Sequence, residues 1–144
     1  MRSSRFDRSE CYRLILMPSF DHPILVQASR TEEGLDLTTK FLDGKGGYEM
    51  GKLSKGRQRE LTELEWQRLL GLLDDLHYWS IPTMDPEDEP VNDGALWMIQ
   101  AKREDLIHDV YRITPKGKFL EICKYFLKLA DSEQDYKGYL PEPN

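Results

Sequence analysis

Cysteine is scarce in this chain: Cys11 and Cys123 are the only two, and neither belongs to a CxxC or Cys/His pattern. That excludes a zinc ribbon, a thioredoxin-like redox pair and a disulfide-built scaffold. The two residues read as small buried hydrophobes in a reducing compartment. Long apolar runs are also missing. Leu14-Ile15-Leu16-Met17 stops at Pro18, far short of the ~20 residues needed to span a bilayer. The basic N-terminus, Met1 to Arg8, is followed by no apolar segment of signal-peptide type. The expectation is a cytoplasmic protein with no membrane association. Histidine is rare as well. His22, His77 and His108 lack metal-ligand spacing, and His108-Asp109 are neighbours on an expected strand, where they point to opposite faces.

What is present suits one folded domain over residues 1–144, with mobile ends at 1–9 and 131–144. At 144 residues, 39% apolar and 32% charged, the chain can bury a core without staples. Its 26 acidic against 20 basic side chains give a net charge of −6. That balance argues against nonspecific nucleic-acid binding and suits a basic partner.

The patterning predicts an α+β fold, an antiparallel sheet with two amphipathic helices packed on it, in the order β-β-β-β-α-β-β-α. Tyr12–Met17 is a short apolar strand. Ile24–Arg30 and Leu35–Phe41 form a hairpin around Glu32-Glu33 and Gly34. Counting outward pairs Ala28 with Leu37, Val26 with Thr39 and Ile24 with Phe41 on a buried face. Gln27, Ser29, Asp36, Thr38 and Lys40 then fall on a wet face. Residues 43–56 read as a Gly/Lys loop, and Gln58–Leu61 as a short returning strand. Thr62 and Glu65 have the spacing of a capping box, and Trp66, Leu69, Leu70, Leu73 and Leu76 recur at helical intervals toward His77. After an acidic loop, Ala95–Lys102 and Leu106–Ile113 form a second hairpin. A two-residue Glu104-Asp105 turn sets Trp97 opposite Arg112, close enough for the guanidinium to stack on the indole. Thr114-Pro115 is expected to open the last helix, which carries Phe119, Ile122, Cys123, Phe126, Leu129 and Ala130 on one stripe.

Catalytic and metal motifs fail on inspection. Gly46-Gly47-Tyr48-Glu49-Met50-Gly51-Lys52 matches seven positions of a P-loop, but Leu53 stands where the magnesium-binding hydroxyl belongs. Lys45, Lys52, Lys55, Arg57 and Arg59 surround one aromatic, Tyr48, so they read as a solvated basic loop rather than a nucleic-acid surface. Asp85, Glu87, Asp88, Glu89 and Asp93 do not make an EF-hand, because Pro90 occupies the position that requires glycine. No cofactor and no metal are expected. Trp79 and Trp97 read as structural aromatics, or as interface anchors should they be exposed.

Tyr78-Trp79-Ser80-Ile81-Pro82, Asp93-Gly94-Ala95-Leu96-Trp97 and His108-Asp109-Val110-Tyr111-Arg112-Ile113-Thr114-Pro115 together carry a resemblance. The chain resembles a group of small bacterial proteins of unknown function with the pattern F-W-x-L-P, D-G-x-x-W, Y-H-x-V-x-R-x-x-P. It departs at Tyr78, Ile81 and Ile107, which stand for phenylalanine, leucine and tyrosine. Gly46-Gly47-Tyr48 fits the group's N-terminal half, and the resemblance covers most of residues 10–130. Small acidic domains of this kind are similar to immunity proteins that neutralise secreted toxins by occlusion. The resemblance implies a protein partner, a basic toxin, met by Asp85, Glu87, Asp88 and Glu89, with Trp79, Trp97 and Arg112 as scaffold or interface. Two alternatives stand beside it. One is a regulatory or structural adaptor, homodimeric through a sheet edge. The other is a ligand-binding protein or enzyme using the 43–56 loop or a pocket near His108 and Arg112.

Overall fold

The computed structural model describes residues 10–45, 51–88 and 94–140. Strands β1 (Glu10–Pro18), β2 (Ile24–Thr31), β3 (Gly34–Leu42) and β4 (Leu53–Glu60) precede helix α1 (Glu63–Leu76). Strands β5 (Ala95–Arg103) and β6 (Leu106–Arg112) and helix α2 (Gly117–Leu129) follow. The six strands form one antiparallel sheet in the order β4-β3-β2-β1-β5-β6. The predicted fold class and element order are those observed.

Alternation along the strands sends Tyr12, Leu14, Leu16, Val26, Leu37, Trp97, Ile99 and Val110 to one face. There they share a core with Trp66, Leu69 and Leu73 of α1 and Phe119, Ile122, Cys123 and Phe126 of α2. Tyr12 meets Trp66 with ring centroids 5.6 Å apart. Both cysteines are buried and free. The first hairpin has the predicted register, Ala28 against Leu37 and Val26 against Thr39.

The other face of that hairpin is drier than its polar composition implies. Gln27 and Ser29 are fully buried. β2 lies inside the sheet, so side chains of its neighbours close over it. Arg13 donates to Gln100 Oε1 at 2.7 Å and to Gln27 Oε1 at 3.4 Å, and Ser29 Oγ donates to Asp36 Oδ1 at 2.9 Å. A buried polar layer stands where a wetted face was expected, hydrogen-bonded except at Gln27 Nε2, which has no partner among the described residues.

Thr62 caps α1 as its spacing requires. Its hydroxyl accepts the Glu65 N–H, and the Glu65 carboxylate accepts the Thr62 N–H, each at 3.0 Å. His77, in the left-handed region at φ 56°, ends the helix. Thr62→Ala is expected to cost about 0.5–2 kcal/mol, read as a lower urea midpoint at unchanged m. An unmoved midpoint would mean that the box contributes nothing.

Three local expectations are corrected. The first concerns the basic run. It is exposed, as expected, but it is not a loop followed by a strand at 58–61, because β4 begins at Leu53 and pairs with β3 along its length. Lys55 and Arg57 lie over the Phe41 ring at 4.9 and 5.3 Å. Arg57 donates to the Ala130 carbonyl at 2.5 Å and Arg59 to the Leu129 carbonyl at 3.0 Å. These carbonyls end α2, where cations are favoured by the helix dipole. The second concerns α2, which starts at Gly117 rather than at Thr114-Pro115. The Thr114 amide is taken by Asp88 instead, and Gly117, at φ +61°, turns the chain into the helix. The third concerns the C-terminal end, expected to be mobile from Asp131. It is packed as far as Leu140: Ser132 and Tyr136 are buried, and Tyr136 Oη donates to the His22 carbonyl at 2.9 Å. Burial first, then the Asp135 and Asp21 carboxylates, pushes the Tyr136 hydroxyl up to about 12, so it stays a donor at neutral pH. Residues 1–9 and 141–144 lie outside the described residues.

Candidate functional site

Between α1 and β5 the chain makes a short 3-10 turn, Tyr78–Ser80, and then runs along the outer edge of β6 as the segment 81–88. Proline at 82 and 86 and acids at 85, 87 and 88 leave it neither helix nor strand. Its backbone groups must therefore find partners elsewhere, and they find them on β6. The Tyr111 N–H donates to the Thr83 carbonyl at 3.0 Å. Arg112 donates to the carbonyls of Thr83 at 2.9 Å and Pro82 at 3.0 Å. The His108 Nε2–H donates to the Ile81 carbonyl at 2.8 Å. From the segment's far end, the Asp88 carboxylate accepts the Ile113 N–H at 2.6 Å and the Thr114 N–H at 2.8 Å. Asp85 Oδ1 accepts the Glu87 N–H at 3.0 Å and tightens the turn between them. The segment is thus fastened at both ends by charge-assisted bonds.

This geometry sorts the acidic residues that the sequence singled out. Asp88 is spent on the backbone of 113–114. Asp85 is half-buried, and it lines a cavity of about 280 Å³ with Leu76, Ile81, Arg112 and Phe119. Glu87 is exposed. Glu89 and Asp93 lie outside the described residues. The pinned segment also presents Met84, 62% exposed. Sequence reading passed over Met84; the available signal was a lone large apolar side chain among acids and prolines.

Trp97 and Arg112 are cross-strand partners, as the two-residue turn requires. Glu104 takes up the left-handed conformation that such a turn demands, φ 54°. The expected stacking of Arg112 on Trp97 does not occur. The guanidinium lies over Phe119, 5.7 Å from the ring centroid, because its donors are drawn outward to Pro82 and Thr83. Trp97 has no exposed surface and serves the core, not an interface. Trp79 is half-buried between Arg103, 5.2 Å above its ring, and His108, stacked at 6.4 Å. Tyr78 Oη reaches the carbonyls of Ile99 at 2.9 Å and His108 at 2.5 Å, tying the 3-10 turn to both strands of the second hairpin. Burial raises the Tyr78 pKa further above its usual value, and the Asp109 carboxylate adds to the effect.

His108 and Arg112 therefore act on the backbone of 81–83 and do not converge on a reacting centre. Gly46 to Met50 lie outside the described residues, but Gly51 and Lys52 lead into β4, not into the helix N-terminus that a P-loop needs. Among the described residues, no group of three His, Cys, Asp or Glu side chains is arranged to hold a metal ion. No helix among them is long and apolar enough to cross a membrane. Comparison of the chain with family models and with curated proteins gave no match.

Proposed function

We propose that this is a protein-binding protein, acting in the cytoplasm as an immunity protein that blocks a basic toxin by occlusion. The observation that carries the reading is the segment 81–88, which holds Met84 and Glu87 outward on a backbone fixed by Arg112, His108 and Asp88. A fixed loop binds with little ordering cost, and an exposed methionine offers an adaptable apolar contact. The net charge of −6 would steer a basic partner toward it, and the exposed Glu87 lies three residues beyond Met84 on the same segment. The resemblance of the sequence to small bacterial proteins of unknown function, themselves similar to immunity proteins, is consistent with this assignment.

The test is co-expression with the product of the adjacent open reading frame. The wild-type chain is expected to co-purify with that product and to relieve its toxicity. Met84→Ala and Glu87→Lys should each weaken the complex by roughly tenfold or more, with the Glu87 change acting mainly on association rate and salt dependence. An adjacent product that is neither toxic nor bound, or variants that bind as wild type does, would sink the proposal.

A further inference from the structure

We propose that the chain also binds a free α-amino acid with an apolar side chain, in a cavity at the opposite edge of the sheet from the segment 81–88. The cavity, about 340 Å³, opens between β3, β4 and the C-terminal end of α2. That volume falls in the range of small-ligand sites. Its wall is apolar where Leu37 and Leu129, 2% and 6% exposed, face it together with Thr39.

Three charged side chains line the same cavity, and one of them is already neutralised. Arg59 is paired with Glu65 through two 3.1 Å contacts. Arg57 commits only Nη2, to the Ala130 carbonyl and to Ser132 Oγ at 3.3 Å. Among the described residues it has no carboxylate within ion-pair distance. Asp131, in the left-handed conformation at φ 55° just past α2, likewise has no basic partner among them, and it does not pair with Arg57. One cation and one anion thus border a single apolar cavity without meeting.

A zwitterion with an apolar body complements all three features. Its carboxylate takes the remaining guanidinium N–H groups of Arg57. Its ammonium takes Asp131, beside the negative end of the α2 dipole. Its side chain lies against Leu37 and Leu129. A ligand carrying only one charge would leave the other protein charge unmatched, so discrimination against such analogues is built in.

Calorimetry and amide-shift mapping on the full chain test this with three probes: L-leucine, 4-methylpentanoate, which lacks the ammonium, and 3-methylbutylamine, which lacks the carboxylate. L-leucine should bind at one site and shift the amides of Leu37, Thr39 and Asp131. Each analogue should bind at least about tenfold more weakly. Asp131→Asn keeps a residue that tolerates the left-handed conformation. It should leave the melting temperature unchanged and bring leucine down to the affinity of 4-methylpentanoate. The proposal fails if leucine shows no binding up to about 10 mM, if the analogues match leucine, or if Asp131→Asn binds leucine as wild type does. Toxin binding at the far edge can survive any of these outcomes.

Discussion

Trp97→Ala is expected to destabilise the fold by about 3–5 kcal/mol, the range for removing a buried tryptophan side chain. Trp97 has no exposed surface, and it lies in the interior of the sheet, paired with Leu16 of β1 on one side and Arg112 of β6 on the other. It belongs to the core that both helices cover. Truncation would leave a void that these neighbours cannot fill without shifting the strand register. It would also loosen the strand that aligns Arg112. The effect should appear as a lower urea midpoint with m unchanged. Trp97→Phe should recover a large part of the loss. A tryptophan acting as an interface anchor would behave differently: alanine would abolish partner binding and leave stability near wild type. That pattern would overturn the structural role.

The two hairpins show what the sequence makes legible. Strand alternation and short turns fix register, so Ala28 opposite Leu37 and Trp97 opposite Arg112 could be counted outward from the turns. The Thr62–Glu65 box and the apolar stripe from Trp66 to Leu73 are local patterns and translate directly into α1. Long-range demands were not legible. Lys55, Arg57 and Arg59 are exposed, as their composition implies, but nothing near them in sequence shows that Arg57 and Arg59 meet the carbonyls at the end of α2. Thr114-Pro115 has the form of a helix start, yet a carboxylate 26 residues earlier holds the Thr114 amide. Tyr136 sits in a polar tail and is buried because the groove beside His22 receives it. The candidate site has the same split. Its acidic residues and Arg112 stood out by composition, whereas Met84 and the structural use of Asp88 depend on β6 lying alongside the segment.

Asp88→Ala should both destabilise the protein and weaken the proposed partner interaction, and the two effects have one cause. The carboxylate of Asp88 is the acceptor for two backbone donors, Ile113 N–H at 2.6 Å and Thr114 N–H at 2.8 Å. Hydrogen bonds to a charged group contribute roughly 1.5–3 kcal/mol each, and water can reach both half-buried donors after truncation, so a total loss of about 2–4 kcal/mol is expected. Asp88→Asn should fall between wild type and alanine, because one of its two terminal atoms becomes a donor and cannot replace an accepting oxygen. The consequences are local as well as global. The contacts of Thr83 and Pro82 with β6 would still hold the front of the segment, while its far end would be released. Met84 and Glu87 lie between the fixed and the freed ends, so a partner would have to order them on binding. Hydrogen exchange should show faster exchange at Ile113 and Thr114, with the α1 amides protected as before after correction for global stability. Partner dissociation should quicken more than association slows. An Asp88→Ala protein with wild-type urea midpoint and wild-type protection at residues 113 and 114 would show that the segment is not held from this end. The case for a prearranged binding loop would then lose its main physical support.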